Sequence, residues 1–176
     1  MKDKTVNETR LRLAQVMTPN DANILGNVFG GSILAMIDLT ASATSQQFAG
    51  TTCVTAAFDR VDFHEPIEVG NLVTMEGYIA YAGRTSMEVT IDVYATNLAK
   101  GVERHTNTAR VTMVAIRDGK PAAVPKLICE TREDKINFLL ARDRRARRNV
   151  HLEDLERSKA QLENSTEEEL NRLLLP

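Results

Sequence analysis

The first 125 residues of this chain contain a single long helical pattern, which limits the folds open to it. From Gly31 to about Gln47, apolar residues recur every three or four positions, as on one face of an α-helix. The strands predicted around this helix are residues 10–17 before it and residues 51–63, 71–82, 86–95 and 102–116 after it. Because short turns join the last four strands, an antiparallel sheet is favoured. The sequence therefore predicts an α+β fold with one helix packed on the sheet.

Such a fold leaves two surfaces without cover. The edge strands of the sheet present unpaired backbone groups, and the second face of the helix has no layer to pack against. Self-association is a usual way to bury both surfaces. We therefore expect the chain to form at least a dimer.

Charge and hydropathy exclude several classes of protein. The formal charge of −2 and the pI near 6.0 do not fit a nucleic-acid binder or a membrane-surface binder. No apolar run approaches the roughly 18 residues of a membrane span, and residues 1–10 lack the apolar core of a secretory signal. We expect a cytoplasmic protein whose partner is a small molecule.

The segment 26–39 contains the best candidates for chemistry. Gly30 and Gly31 come where the helix starts, and the free N–H groups there favour incoming negative charge. Asp38 interrupts an otherwise apolar helix. Two interpretations of Asp38 stay open, a solvated helix residue and a general base held in apolar surroundings. Asn27 is a candidate site residue as well, or else an ordinary loop or cap residue.

Helix geometry separates the two polar candidates. Asp38 follows the predicted helix start by about seven residues, which is roughly 10 Å of axial rise. One reacting carbonyl can hardly contact both Asn27 and Asp38 of the same chain. The pair could act together only if one subunit supplies Asn27 and the glycine N–H groups and another supplies Asp38. This predicts a site at a dimer interface.

The remaining candidates are less specific. Arg84, Thr85 and Ser86 lie between two predicted strands and could bind phosphate, although a plain hairpin turn has the same composition. The histidines and the two cysteines show no metal-ligand spacing, so we predict no metal. No serine nucleophile motif is present.

Several motifs, in one order, resemble those of the hotdog-fold acyl-CoA thioesterases, specifically the single-domain cytosolic acyl-CoA hydrolases. The motifs are residues 17–19 with Asn23, residues 26–31 running into 36–38, residues 62–67 with 69–70, and residues 83–87. The resemblance covers about residues 8–127, which we expect to form the thioesterase domain. Residues 128–176 are poorly covered, and a capping-box pattern at 131–134 predicts that they form a C-terminal helical extension.

The resemblance implies a long central helix wrapped by a five-stranded or six-stranded antiparallel sheet. It also implies a homodimer with a continuous sheet, and commonly a trimer of dimers. In similar enzymes the helix aspartate, here Asp38, activates water against the thioester carbonyl or attacks it directly, and the asparagine, here Asn27, comes from the partner subunit. Backbone N–H groups of Gly30 and Gly31 would stabilise the oxyanion. The residues near the CoA phosphates would be Arg84, Thr85 and Ser86.

Not every residue role known in this family can be assigned to this chain. Some relatives carry histidine where Phe29 stands, so no role of that histidine applies here. The substrate would be acyl-CoA, and no cofactor is expected apart from the coenzyme A that the substrate carries. Some similar proteins bind a purine nucleotide as a regulator, which the sequence neither supports nor denies. The main alternative is a non-catalytic acyl-CoA sensor on the same fold.

Overall fold

The computed structural model describes residues 2–63 and 65–174. Two compact units make up this part of the chain, the first ending at Phe138 and the second beginning at Leu139. His64 and Leu175, which belong to a predicted motif and to the predicted last helix, lie outside the described residues. The elements in chain order are β1 (Lys4–Thr5), β2 (Leu11–Val16), α1 (Gly30–Ala49), β3 (Cys53–Phe58), β4 (Leu72–Ala82), β5 (Ser86–Asn97), β6 (Val102–Arg117), β7 (Lys120–Pro121), β8 (Leu127–Ile128), α2 (Arg132–Glu163) and α3 (Glu167–Leu173).

The main sheet is antiparallel and has the strand order β2-β4-β5-β6-β3, with β7 paired to β6. Within the described residues this gives six strands, and the predicted α+β architecture is confirmed. Strand β3 is shorter than the predicted range 51–63, because the chain leaves the sheet after Phe58. β2 and β3 form the two edges of the strand order.

Register shifts bend this sheet around the helix. They occur between Thr55 and Ala57 in β3, between Ile79 and Tyr81 in β4, and after Val93 in β5. An extra residue on one strand of a pair increases the local twist. The sheet therefore presents a concave apolar face to α1.

Helix α1 buries one stripe of side chains in that face. The buried residues of α1 recur at the helical period and are Ile33, Ile37, Thr40, Ala41, Thr44, Ser45, Phe48 and Ala49. Two leucines of α1 lie outside this stripe, since Leu34 is 36% exposed and Leu39 is 63% exposed. The second face of α1 is therefore uncovered in the single chain, as the sequence predicts.

The boundaries of α1 depend on glycines. The helix begins at Gly30, one residue before the predicted start, and ends at Ala49. Gly50 follows in the left-handed conformation at φ 66°, which glycine adopts without the steric cost of a Cβ atom. Its N–H donates to the Gln46 carbonyl at 2.8 Å and closes the last turn.

The chain outside residues 8–127 also contributes to the described structure. β1 pairs in parallel with β8, so a segment before residue 8 and one that crosses residue 127 form a small second sheet. Helix α2 begins with a capping box between Thr131 and Asp134. In the second unit, Thr166 and Glu169 cap α3. No helix among the described residues is long and apolar enough to cross a membrane.

The helix and sheet approach each other closely at Gly77 on β4. A Cβ atom at this position would lie 2.7 Å from Thr44 Oγ1 and 3.0 Å from Thr40 Cγ2. Both threonines are fully buried. Gly77 is thus required by the distance between α1 and the sheet.

We predict that Gly77→Ala lowers the free energy of unfolding by about 1–3 kcal/mol, because the added methyl group overpacks this contact. Urea denaturation would measure the change. The double variant Gly77→Ala/Thr44→Ala should recover part of the loss, since it removes the nearest atom. A single variant as stable as the native chain, or a double variant that is simply additive, would contradict this explanation.

Candidate active site

Asp38 lies near the middle of α1 and is half-buried on the flank of the helix that faces the edge strand β3. Thr55 Oγ1 on β3 donates a 2.5 Å hydrogen bond to Asp38 Oδ1 and lies 3.5 Å from the Met113 sulfur. No other side chain in the described part of the chain donates to this carboxylate. The second carboxylate oxygen is thus left for a ligand or a water molecule.

The surface around Asp38 is apolar and open. Leu39 on α1 is 63% exposed and Phe58 on β3 is 39% exposed. Val54 alternates with Thr55 and so lies on the outer face of β3, where it is 46% exposed. β3 is also an edge strand, so one row of its backbone groups has no partner in the described residues. Exposed apolar side chains next to an unpaired edge are typical of a surface that another chain covers.

Asn27 lies elsewhere, in a cavity of about 340 Å³ beside the start of α1. Its backbone forms an isolated bridge with Glu68. The cavity is lined by Asn23, Asn27, Val28, Gly30, Ile33, Phe63, Glu65, Pro66, Ile67, Thr106 and Asn107. Polar amides and apolar side chains therefore share this cavity.

Asn23 is held more firmly than Asn27. Its Oδ1 accepts hydrogen bonds from the backbone N–H of Leu25 at 2.9 Å and of Asn27 at 3.2 Å. These two hydrogen bonds fix the orientation of the Asn23 carboxamide, and its Nδ2 group is left to donate. No described residue accepts from it. Asn23 belongs to one of the sequence motifs but was not among the predicted site residues, and the folded loop brings it into the cavity.

The two glycines begin α1 without a side-chain cap. Phe29 is the N-cap residue, and no side chain of the described residues accepts a hydrogen bond from the first turn. The first N–H groups of a helix have no carbonyl partner within it. A Cβ atom on Gly31 would lie 2.2 Å from a ring carbon of Phe29, whereas one on Gly30 would meet only Phe63 at 3.7 Å. Gly31 is therefore the position where the loop excludes a side chain.

Arg84, Thr85 and Ser86 lie at the turn between β4 and β5. The carbonyl of Arg84 accepts from Val124 N–H and that of Thr85 from Ala115 N–H, both at 3.0 Å. The turn is firmly attached to neighbouring strands, and the Arg84 side chain is exposed. These residues occupy a hairpin turn, and a phosphate-binding role for them remains a prediction.

The candidate residues form two groups at different ends of β6. Met113 pairs with Thr55 on one side and with Met87 on the other, so Asp38 and the β4–β5 turn lie at one level of the sheet. The asparagine cavity contacts Asn107, six residues earlier on β6, which is about 20 Å along a strand. Along α1, the eight residues from Gly30 to Asp38 span about 12 Å. One chain does not bring Asn27 and Asp38 together.

Among the described residues, the histidines and cysteines give no sign of a further site. His105 Nε2 lies 3.0 Å from Thr108 Oγ1 and 3.6 Å from Asp92. Burial raises the pKa of the Cys53 thiol, which a hydrogen bond with Ser45 lowers to a lesser degree, so this thiol is a poor nucleophile. Among the described residues, no group of three His, Cys, Asp or Glu side chains could hold a metal ion.

Comparisons with known proteins identify relatives along most of the chain. The model of the thioesterase superfamily matches residues 25–102. A Bacillus subtilis protein, described as the uncharacterized acyl-CoA thioester hydrolase YkhA, is 36% identical over 117 residues, which are 66% of this chain and 68% of the relative. The solved structure of a hexameric acyl-CoA thioesterase is 36% identical, with a TM-score of 0.82 over 86% of this chain and 98% of that one.

A second solved structure is an acyl-CoA hydrolase of Staphylococcus aureus in complex with butyryl coenzyme A, coenzyme A and coenzyme A disulfide. It is 30% identical, with a TM-score of 0.81 over 92% of this chain and 99% of that one. Solved variants of that hydrolase replace an asparagine, an aspartate or a threonine by alanine. There the asparagine precedes the aspartate by 15 residues and the threonine follows it by 17. In this chain Asn23 precedes Asp38 by 15 residues, and Thr55 follows Asp38 by 17.

Proposed function

The chain belongs to the hotdog-fold acyl-CoA thioesterases, and we propose that it hydrolyses fatty acyl-CoA to free CoA and a carboxylic acid at a site completed by two copies of the chain. The single observation that supports a shared site is the distance between the start of α1 and Asp38. Asp38 lies about 12 Å along α1 from Gly30, so one thioester cannot contact both within one chain.

The uncovered surfaces support the dimer. If β3 of one copy pairs antiparallel with β3 of a second, the sheet becomes continuous and the exposed Val54, Phe58 and Leu39 are buried. A two-fold arrangement of this kind is isologous, so both copies contribute the same surface. It sets the start of one α1 beside the middle of the other. The hexameric neighbour supports a further step, a trimer of such dimers.

Asp38 is the proposed base or nucleophile. In the first case its free carboxylate oxygen takes a proton from water as the water oxygen bonds to the thioester carbon. The C–S bond then breaks, and the CoA sulfur leaves with the proton. In the second case Asp38 attacks the carbon directly, CoA leaves as the thiolate, and water hydrolyses the resulting anhydride. Thr55 holds the carboxylate in one orientation in both cases.

The start of α1 is the proposed oxyanion site. When the carbonyl carbon becomes tetrahedral, its oxygen gains negative charge that preformed N–H donors stabilise. The uncapped N–H groups of Gly30 and Gly31 suit this role, and the helix dipole adds to it. The space that a Gly31 side chain would need is filled by Phe29, which supports glycine at this position.

An asparagine of the loop is the proposed second donor to the substrate. The resemblance implies that this residue is Asn27, which lines the cavity. Asn23 is a second candidate, since its anchored carboxamide presents Nδ2 and its spacing from Asp38 matches that of the variant asparagine in the S. aureus enzyme. The subunit-mixing experiment below tests both residues.

The proposed domain bounds, location and CoA-binding residues follow from the resemblance to the family. Residues 8–127 are the proposed thioesterase domain, with residues 128–176 as its extension, and the cytoplasm is the proposed location. Arg84, Thr85 and Ser86 are proposed to bind the CoA phosphates. The β4–β5 turn that they form lies at the same level of the sheet as Thr55, which supports this placement near Asp38.

We expect Asp38→Asn to lower kcat for a preferred acyl-CoA by about 10²–10⁴-fold, the usual contribution of a general base. Thiol release from acyl-CoAs of graded chain length would measure it. Asp118→Asn is the matched control, because Asp118 lies in an exposed turn, and its rate should equal the native rate. An unchanged rate in Asp38→Asn would remove Asp38 from the mechanism. Tight binding by the native chain without turnover would favour the sensor.

Thr55 should act through Asp38. A hydrogen bond to a charged group contributes about 1.5–3 kcal/mol, so Thr55→Val should lower kcat about 10- to 100-fold with little change in KM. Thr55→Ser keeps the hydroxyl and should retain most of the rate. Steady-state kinetics of the two variants would measure this difference. Equal losses in both, or a loss confined to KM, would contradict the positioning role.

Mixing experiments test the shared site. Chains with Asn23→Ala or Asn27→Ala are refolded with Asp38→Ala chains, and each mixed dimer then contains one intact site. An equimolar mixture should recover about a quarter of the native activity for whichever asparagine belongs to the site. Mixing Asp38→Ala with Asp38→Asn should recover nothing. Failure of both asparagine variants to complement, with exchange verified by mass spectrometry, would show that the site is not shared.

A further inference from the structure

A third asparagine, Asn107 on β6, lines the same cavity as Asn23 and Asn27. No motif of the sequence singles it out. The residue is 4% exposed, which makes it one of the few buried polar residues in the described part of the chain that line a cavity. A buried carboxamide needs partners for both of its polar atoms.

Only one of those atoms has a partner. Thr106 Oγ1 lies 3.0 Å from Asn107 Oδ1 and donates toward it, and it also lies 3.1 Å from the Val93 carbonyl. Asn107 Nδ2 is buried and has no acceptor among the described residues. An unsatisfied buried donor is unfavourable, and native proteins leave few of them.

The sheet explains why this donor stays available. β3 pairs with β6 only as far as Val111, four residues beyond Asn107. A register shift after Val93 also interrupts the β5–β6 pairing beside Asn107. Asn107 therefore lies where the helix–sheet layer opens beside the loop that contains Asn27 and Gly30.

We propose that Asn107 is a substrate-binding residue whose Nδ2 donates a hydrogen bond to a carbonyl oxygen of acyl-CoA in this cavity. The inference rests on the proposed function and adds a residue to the same site. Acyl-CoA has carbonyl oxygens of two kinds within reach of such a donor, the two amides of the pantetheine arm and the thioester itself. Free CoA retains only the amides, so it distinguishes the two sources.

A second buried polar atom without a hydrogen-bond partner provides the matched control. Thr44 Oγ1 on α1 is also buried without a partner, but Thr44 packs under Gly77 and does not line the cavity. Removing either the Asn107 Nδ2 group or the Thr44 hydroxyl should leave the ligand-free protein at least as stable as the native chain. Only removal of the Asn107 donor should weaken binding of the ligand.

The experiment compares Asn107→Leu, Asn107→Asp and Thr44→Val. Leu removes both polar atoms at similar volume, and Asp keeps the shape and the acceptor but not the donor. We expect both Asn107 variants to raise KM for an acyl-CoA about 3- to 10-fold, the value of one neutral hydrogen bond, while kcat changes less. Thr44→Val should keep the native KM. Asn107→Leu should unfold at the native temperature or above it.

Calorimetric titration with free CoA identifies the carbonyl. Weaker CoA binding in both Asn107 variants supports an amide of the pantetheine arm, and unchanged CoA binding with a raised KM for acyl-CoA supports the thioester oxygen. If both Asn107 variants keep the native KM, the proposal is overturned. An Asn107 variant that is less stable than the native protein but has the native KM would also overturn it. If Asn107→Leu does not fold, the KM and the CoA binding of the conservative variant Asn107→Asp provide the test.

Failure of this inference is distinguishable from failure of the proposed function. Native protein that neither binds CoA nor releases thiol from any acyl-CoA would contradict the function itself. Native protein that turns over acyl-CoA, together with Asn107 variants that match it, would contradict only the role of Asn107.

Discussion

The packing of α1 into the concave face of the sheet determines the position of every candidate group. The helix buries one stripe, approaches β4 closely at Gly77, and leaves its other face open, with Asp38 half-buried between that face and β3. Because α1 is rigid, its uncapped start and its aspartate are kept about 12 Å apart. We therefore propose that the site consists of two half-sites, which a second copy would complete at the exposed β3 edge beside Asp38.

Periodicity predicted most of this architecture. The helical spacing in α1 is strong because the helix buries one face in the core. Asp38 stood out for the opposite reason, as a charge within an apolar helix. The start of α1 was one residue earlier than predicted, which did not alter the argument that Asn27 and Asp38 cannot serve one carbonyl. The short β1–β8 pair left no detectable pattern, because two residues are too few for a period.

The partners of the site residues could not be predicted, since they depend on register and not on local sequence. Thr55 reaches Asp38 because β3 pairs with β6 at Met113, and nothing within residues 51–63 marks that threonine. The motif that contains Asn23 gives this residue no role, and only the structure shows its carboxamide oxygen accepting hydrogen bonds from two backbone N–H groups. Asn107 is one polar residue in a long strand, and only the end of β3 pairing leaves it beside the cavity.

The central claim is that two chains form each site. Its most direct test is a crystal structure of the protein with a non-hydrolysable acyl-CoA analogue. The account predicts that the carbon at the thioester position lies beside Asp38 of one chain, and that its oxygen accepts hydrogen bonds from the Gly30 or Gly31 N–H of another. An analogue whose reacting carbon contacts the aspartate and the glycine loop of the same chain would contradict the account.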